Sequence, residues 1–273
     1  MAGDEASVSS LHRAVQILRA LACGADAGGC RVSELAKALG YTQATTHRLL
    51  QQLVDEGLVA QAPQDKRYAL SLDFFALAAK AGDTGALRER CRPALLRLGA
   101  SLGDSVFLLV RAGFDAMCLD RVEGPFPIRS FTGDIGGRVP LGVGQGSMAL
   151  LAHLPQAERD EVMRHNVPRI RHLGALDEVY LRTEAARVLR QGYANTNSGL
   201  IEGMAGLAVP VFDASGRVAA ALSVGTLTAR LEGERLPVVV DLLQREARAL
   251  APQINPFDPA LRRPAGALGR AGA

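Results

Sequence analysis

Residues 32–71, VSELAKALGYTQATTHRLLQQLVDEGLVAQAPQDKRYALS, constrain the fold of this chain more than any other stretch. Two short segments with helical apolar spacing are separated by a single glycine, Gly40. Two strand-like runs follow, Leu58-Val59-Ala60-Gln61 and Arg67-Tyr68-Ala69-Leu70, around Pro63-Gln64-Asp65-Lys66. Glycine serves a tight turn between helices, and proline with aspartate has β-turn chemistry. A helix over 10–23, capped by Ser9 or Ser10, precedes them, with Leu11, Ala14, Val15, Leu18, Leu21 and Ala22 as its apolar stripe. Helix, helix, turn, helix, hairpin is the order of a winged helix-turn-helix. Ser33 is the expected cap of the second helix, with Glu34 in its first turn.

The third helix, about 42–56, divides into two halves. Thr46, Leu49, Leu50 and Leu53 share one face at a period of 3.6, the face expected to pack on the first two helices. Thr42, Gln43, Thr45, His47, Arg48 and Gln51 fall elsewhere and offer groups that hydrogen-bond phosphates and base edges. In helix-turn-helix proteins the N-terminal residues of the second helix of the motif enter the major groove. Charge does not decide the matter. Residues 1–72 carry seven cations and seven anions, for a balance of zero, whereas phosphate attraction dominates nucleic-acid affinity. The placement does favour DNA: Arg48 leads the helix, Lys66 and Arg67 sit on the wing, and Asp55 and Glu56 trail.

The chain has 273 residues, 48% of them hydrophobic, which suits two domains. A glycine-interrupted helix over 72–90 is the expected linker. Beyond it the sequence predicts a helix over 93–103, strands over 105–113, 115–124 and 126–131, and a helix over 144–154. Two mixed-charge surface helices follow, then a hairpin of 204–213 and 217–226 about Ala214-Ser215-Gly216, and a last helix over 236–251. The expected domains are a flexible tail 1–9, a winged helix-turn-helix 10–71, a linker helix 72–90, a sensor domain 91–255 and a disordered tail 256–273. The fold class is α+β: a winged helix-turn-helix, then a mostly antiparallel sheet carrying helices.

Motifs exclude most enzyme classes. There is no H-E-x-x-H, P-loop or dinucleotide fingerprint, and GVGQGS at 142–147 lacks the lysine of a phosphate loop. His153, His165 and His172 are scattered along surface helices, so no metal or cofactor is expected. The four cysteines, 23, 30, 91 and 118, form no C-x-x-C and read as reduced thiols of a cytoplasmic protein. No run of 18 apolar residues predicts a membrane span.

Residues 10–70 resemble the N-terminal domain of the IclR family of bacterial transcription regulators through LHRAVQILRAL, VSELAKALGYTQATTHRLLQQLVDEGLVAQ and RYALS. The likeness continues in order through LDRVEG, GGRVPLGVGQGSMALLAHLP, RQGY and GLAVPVFDASGRVAAALSV, covering about 10–252. It implies a regulator, expected to be a repressor of a catabolic operon, that binds a palindromic operator through Thr42, Gln43, Thr45, Thr46, His47, Arg48, Lys66 and Arg67. Relatives often begin this helix with Pro, then a basic or amide residue, then Ser or Thr; Thr42, Gln43 and Ala44 stand here, so the operator should differ.

The resemblance further implies a GAF-like second domain that binds a small carboxylic acid or aromatic-type metabolite. Carried across, its pocket comprises Gln145, Gly146, Ser147, Thr196, Gly206, Ser223 and Gly225. Where relatives often have Cys, Gly206 stands here, and with Gly225 it implies extra room, hence a ligand larger than a two- or three-carbon acid. A homodimer, paired again into a tetramer, is implied, with effector-driven shifts passing through 72–90. The alternative is a ligand-independent DNA-binding regulator whose second domain serves only oligomerisation.

Overall fold

In the computed structural model, the structure describes residues 9–24, 28–74, 77, 84–125, 128, 132, 134–174, 176–195 and 201–254. The chain divides into two compact units, 1–82 and 83–273. Residues 1–8 and 256–273 of the expected tails lie outside the described residues, as do 75, 76 and 78–83 of the expected linker and the expected strand at 126–131 apart from Ile128, which is not in a strand.

The first unit contains α1 (Ser10–Cys23), α2 (Val32–Leu39), α3 (Gln43–Asp55) and a hairpin of β1 (Val59–Gln61) and β2 (Tyr68–Leu70). Ser9 caps α1 by accepting from His12 N at 3.2 Å. Helix α2 starts one residue before the expected cap, Ser33. The Glu34 carboxylate accepts Arg31 N at 2.8 Å instead, which fixes Arg31 as the boundary. Gly40 ends α2 at φ 69°, a left-handed conformation that a β-carbon disfavours. The core joins Ile17, Leu21, Leu35, Leu49, Leu50, Leu53, Val59 and Tyr68. Ile17 is fully buried, whereas Leu11, assigned to the apolar stripe, is 75% exposed. The true inward face of α1 is centred on Ile17 and Leu21.

The second unit begins at α4 (Thr84–Leu102), one continuous helix that runs through Pro93 rather than starting there. Leu87, Cys91, Ala94, Leu95, Leu98 and Leu102 form a buried stripe along it. That tertiary contact outweighs the hydrogen bond a proline cannot donate. There follow β3 (Ser105–Ala112), β4 (Asp115–Val122), β5 (Arg138–Pro140), α5 (Gln145–Ala152), α6 (Gln156–Ile170), α7 (Glu178–Gln191), β6 (Met204–Phe212), β7 (Val218–Leu227) and α8 (Arg235–Leu250). The sheet is antiparallel throughout, in the order β5-β4-β3-β7-β6.

Strand alternation sends two sets of side chains to opposite faces. Val106, Leu108, Val110, Leu207, Val209, Val211, Leu222 and Val224 pack with residues of α4 and α8. Phe107, Leu109, Ala116, Cys118, Ala208 and Ala221 pack with residues of α5, α6 and α7. Pro210 is tolerated because β6 is the last strand in the order. Its outer side is partly covered, since Ala194 and Ala208 exchange two backbone hydrogen bonds of 2.8 Å. The β6–β7 turn is held by Asp213, whose carboxylate accepts Ser215 N at 2.8 Å, Ser215 Oγ at 2.6 Å and Arg217 N at 3.0 Å. Burial alone would raise that carboxyl's pKa, but these donors outweigh it and hold the pKa below its ordinary value.

Candidate nucleic-acid interface and effector cleft

Helix α3 is held rigidly from below. Thr42 is its cap: the hydroxyl accepts Thr45 N at 3.2 Å and donates to Thr45 Oγ1 at 2.9 Å. Thr46 is fully buried and donates to Thr42 O at 3.0 Å. Its inclusion among DNA-contacting residues is therefore corrected: a side chain sunk between helices cannot reach a phosphate or a base. Beside it Leu49, Leu50 and Leu53 anchor the helix, and truncating a buried leucine of this kind costs about 2–5 kcal/mol. Gln43, Ala44, His47 and Arg48 are exposed on the N-terminal turns, with Thr42 at the tip and Thr45 half-buried.

The two wing cations differ. Lys66 is exposed at the hairpin tip. Arg67 is turned inward: its guanidinium donates to Gly29 O at 2.7 Å and pairs with Glu34 at 3.3 Å and Asp65 at 3.6 Å. The expectation that Arg67 contacts DNA is corrected accordingly, because phosphate would have to displace a backbone acceptor and two carboxylates. Arg67 ties the wing to the start of α2. Gln51 joins this support, donating to Tyr68 Oη at 3.2 Å.

Lys66 is the one non-glycine residue among those described with a left-handed backbone, at φ 59°. That conformation costs a residue with a β-carbon roughly 1 kcal/mol, and glycine returns part of the gain as chain entropy. Lys66→Gly is expected to stabilise the first unit by about 0.5 kcal/mol while lowering the salt slope of DNA binding by about one. Denaturant melts and salt titrations on the same preparation measure both.

In the second unit α5 begins at Gly144 (φ 78°), with no side chain capping it. Orphan N–H groups and the dipole give such an end a partial positive charge. The start of α5 lines a narrow cleft with Gly142, Met148, Leu176, Tyr180, Glu184 and Ala194. Glu184 and Tyr180 belong to α7, which the sequence marks only as a charged surface helix. Burial and the neighbouring Glu184 carboxylate push the Tyr180 phenol up. Glu184 pairs with Arg187 at 3.0 Å, and Arg187 donates in turn to Asn195 Oδ1 at 3.0 Å.

Of the expected pocket residues that are described, only Gln145 is among those lining this cleft. Gly206 lies against Gln145, and Gly146 against Ser223. Gly206 and Gly225 are register partners across β6 and β7. The space beside the glycines is nevertheless filled, which corrects the expectation of extra room. A β-carbon at Gly206 would lie 2.7 Å from Gln145 Oε1, one at Gly146 would lie 2.6 Å from Leu109, and one at Gly225 would overlap Ile128. Small residues let long neighbours close in, as dense interiors require.

Ser147 is also redirected. Buried and four residues into the turn, its hydroxyl donates to Val143 O at 2.6 Å and accepts Gly142 N at 3.1 Å. It fastens the loop that shapes the cleft rather than facing a ligand. Thr196 lies outside the described residues. Of the histidines, His165 stacks on Phe114 with centroids 3.8 Å apart. His153 sits edge-on to Phe212, and burial lowers its pKa.

Residues 10–63 match the family model described as the IclR helix-turn-helix domain, and residues 80–252 match that described as bacterial transcriptional regulator IclR C-terminal. The chain belongs to the IclR family of bacterial transcriptional regulators. It is a DNA-binding regulator of that family with a mixed α/β second domain. Among its relatives are the HTH-type transcriptional regulator BhcR of Paracoccus denitrificans, 29% identical over 251 residues (92% of this chain, 88% of the relative). The transcriptional repressor IclR of Escherichia coli is 25% identical over 232 residues, 84% of each chain. In structure the chain is similar to an IclR homolog from Microbacterium hydrocarbonoxydans complexed with 4-hydroxybenzoate. The TM-score is 0.71 at 25% identity, covering 89% of this chain and 97% of that one. Among the described residues no helix is long and apolar enough to cross a membrane, and no group of three or more His, Cys, Asp or Glu could hold a metal ion.

Proposed function

We propose that this IclR-family chain is a ligand-responsive repressor of a catabolic operon, reading a palindromic operator as a homodimer or tetramer in the cytoplasm. The observation that carries the DNA reading is the division of labour in α3. Thr46 and three leucines fix the helix from the inside, and Gln43, His47 and Arg48 are left exposed beside its capped N-terminus. Gln43 suits adenine and Arg48 suits guanine in the major groove. With no excess of basic charge in this unit, geometry supplies the specificity, and Lys66 adds a phosphate contact at the wing.

The effector we propose is a small monocarboxylic acid with an aromatic or short apolar body. The start of α5 supplies the positive end for one carboxylate. Met148 and Leu176 supply apolar wall, and Glu184 on the opposite helix disfavours a second carboxylate. The 4-hydroxybenzoate held by the Microbacterium homolog is an acid of this kind. The effector changes operator affinity only by as much as it binds one state of the protein better than the other.

A panel of mono- and dicarboxylic acids in thermal-shift assays tests this reading. Monocarboxylates such as 4-hydroxybenzoate are expected to raise the melting temperature, and dicarboxylates of equal length are not. No stabilisation by any acid would favour the ligand-independent alternative. Gly206→Leu, which forces Gln145 out of its place, is expected to weaken effector binding about tenfold or more, the size of loss that 1.4 kcal/mol produces, with operator binding intact. Unchanged effector affinity in that variant would remove Gly206 from the site.

A further inference from the structure

We propose that Cys23 and Cys30 are a thiol pair that a low-molecular-weight disulfide oxidises to an intramolecular disulfide, joining the end of α1 to the residue that supports the wing. Four observations place them together. Cys23 is the last residue of α1, and the chain returns to Cys30 after only Gly24–Gly29, six residues of which three are glycine. Gly29 N donates back to Gly24 O at 3.1 Å, which closes the excursion. Cys30 Sγ lies directly against Gly24, the residue next to Cys23, so tightly that a β-carbon on Gly24 would overlap it. Cys23 is close enough to act electrostatically on the Cys30 thiol. Disulfides need β-carbons about 3.8 Å apart, and glycines at φ 73° and 95° leave the return limb free to adjust.

Accessibility separates this pair from the other cysteines. All four are free, but Cys91 and Cys118 are fully buried. Burial pushes their thiols up, to about 12 and about 11. The thiolate is the nucleophile, so those two are inert at neutral pH. Cys23 is exposed and Cys30 half-buried, which sets the order of events. Glutathione disulfide serves as the oxidant. The Cys23 thiolate attacks one of its sulfurs, the S–S bond breaks, and one glutathione leaves as thiolate and takes a proton. The Cys30 thiol then gives up its proton and attacks the Cys23 sulfur of the mixed disulfide, expelling the second glutathione. Two protein thiols are oxidised by two electrons and one disulfide is reduced to two thiols. Burial and Glu34 raise the Cys30 thiol's pKa, so this second step speeds up as pH rises.

The position gives the bond a mechanical consequence. Cys30 exchanges both backbone hydrogen bonds with Tyr68, at 2.9 and 2.8 Å, and Tyr68 is the wing residue that receives Gln51 of α3. A crosslink drawing Cys30 toward Cys23 acts on the joint that carries both the wing and the recognition helix.

Trypsin places both cysteines in one peptide, Ala20–Arg31, so the test is direct. The full-length native protein is incubated with excess glutathione disulfide, quenched with acid and digested. The expected product is this peptide lighter by two hydrogens. Cys30→Ser is expected to stop at a glutathione adduct on Cys23, and Cys23→Ser to accumulate far less adduct of any kind. A wild-type peptide that retains glutathione on Cys23 with Cys30 still open to alkylation would overturn the proposal. So would crosslinking between chains through Cys23 alone.

Discussion

Replacing Asp104 by alanine is expected to destabilise the second unit by roughly 3 kcal/mol. The Asp104 side chain is 1% exposed and joins four elements. It sits between α4 and β3 and accepts Thr226 Oγ1 of β7 at 2.7 Å. It also accepts Arg230 Nε at 3.1 Å and Arg235 Nη2, from the start of α8, at 2.6 Å. Each bond to a charged group contributes about 1.5–3 kcal/mol. The loss is less than their sum, because the arginines are 32% and 29% exposed and hydrate once released. Arg235 also keeps Leu102 O, at 2.7 Å. Thr226 is the exception: at 1% exposure its hydroxyl is left buried without that acceptor. Asp104→Asn keeps the shape and removes the charge, so it is expected to lose about half as much. Native-state amide exchange along β3 and β7 in the full chain measures both, and protection equal to wild type in Asp104→Ala would refute the assignment.

The second large effect concerns Arg48. Arg48→Ala is expected to weaken specific operator binding by roughly 1–3 kcal/mol, the cost of one base-reading arginine. Arg48 is exposed and forms no part of the core of its unit. The melting temperature should therefore not move. Arg67→Ala should behave in the opposite way. Its guanidinium holds Gly29 and Glu34, so the variant loses stability in the first unit and affects DNA through the wing's position.

The parts of this molecule that were legible in its sequence are those whose determinants are local. In α3 the cap, the apolar period and the trailing carboxylates lie within fifteen residues, so the helix, its buried face and its exposed tip follow from the pattern. The β6–β7 hairpin is announced by Asp213 to Gly216, whose turn bonds are also local. The misses come from partners far along the chain. Arg67 looks like a free wing cation until Gly29 and Glu34 fold beside it. Ser147 is a local exception: it looks like a ligand contact, but its hydroxyl is taken by the Val143 carbonyl four residues before it. The three-residue β5 is too short to show a period, and it exists because it pairs with β4. Gly206 and Gly225 promised space that Gln145 and Ile128 occupy, and nothing in a linear pattern shows which neighbour will fill a gap. Glu184 and Tyr180 reach the cleft because α7 packs on α5, a pairing that mixed surface charge conceals.

The most direct test of the central claim, that the exposed N-terminal turns of a core-anchored α3 read DNA, is an operator titration. An operator selected from random duplexes by the wild-type protein is titrated with wild type and Arg48→Ala at matched salt, beside a scrambled duplex. The expected result is a loss of about 5- to 150-fold for the operator, with scrambled-duplex binding and melting temperature nearly unchanged. Equal operator affinity for the two proteins would contradict the account.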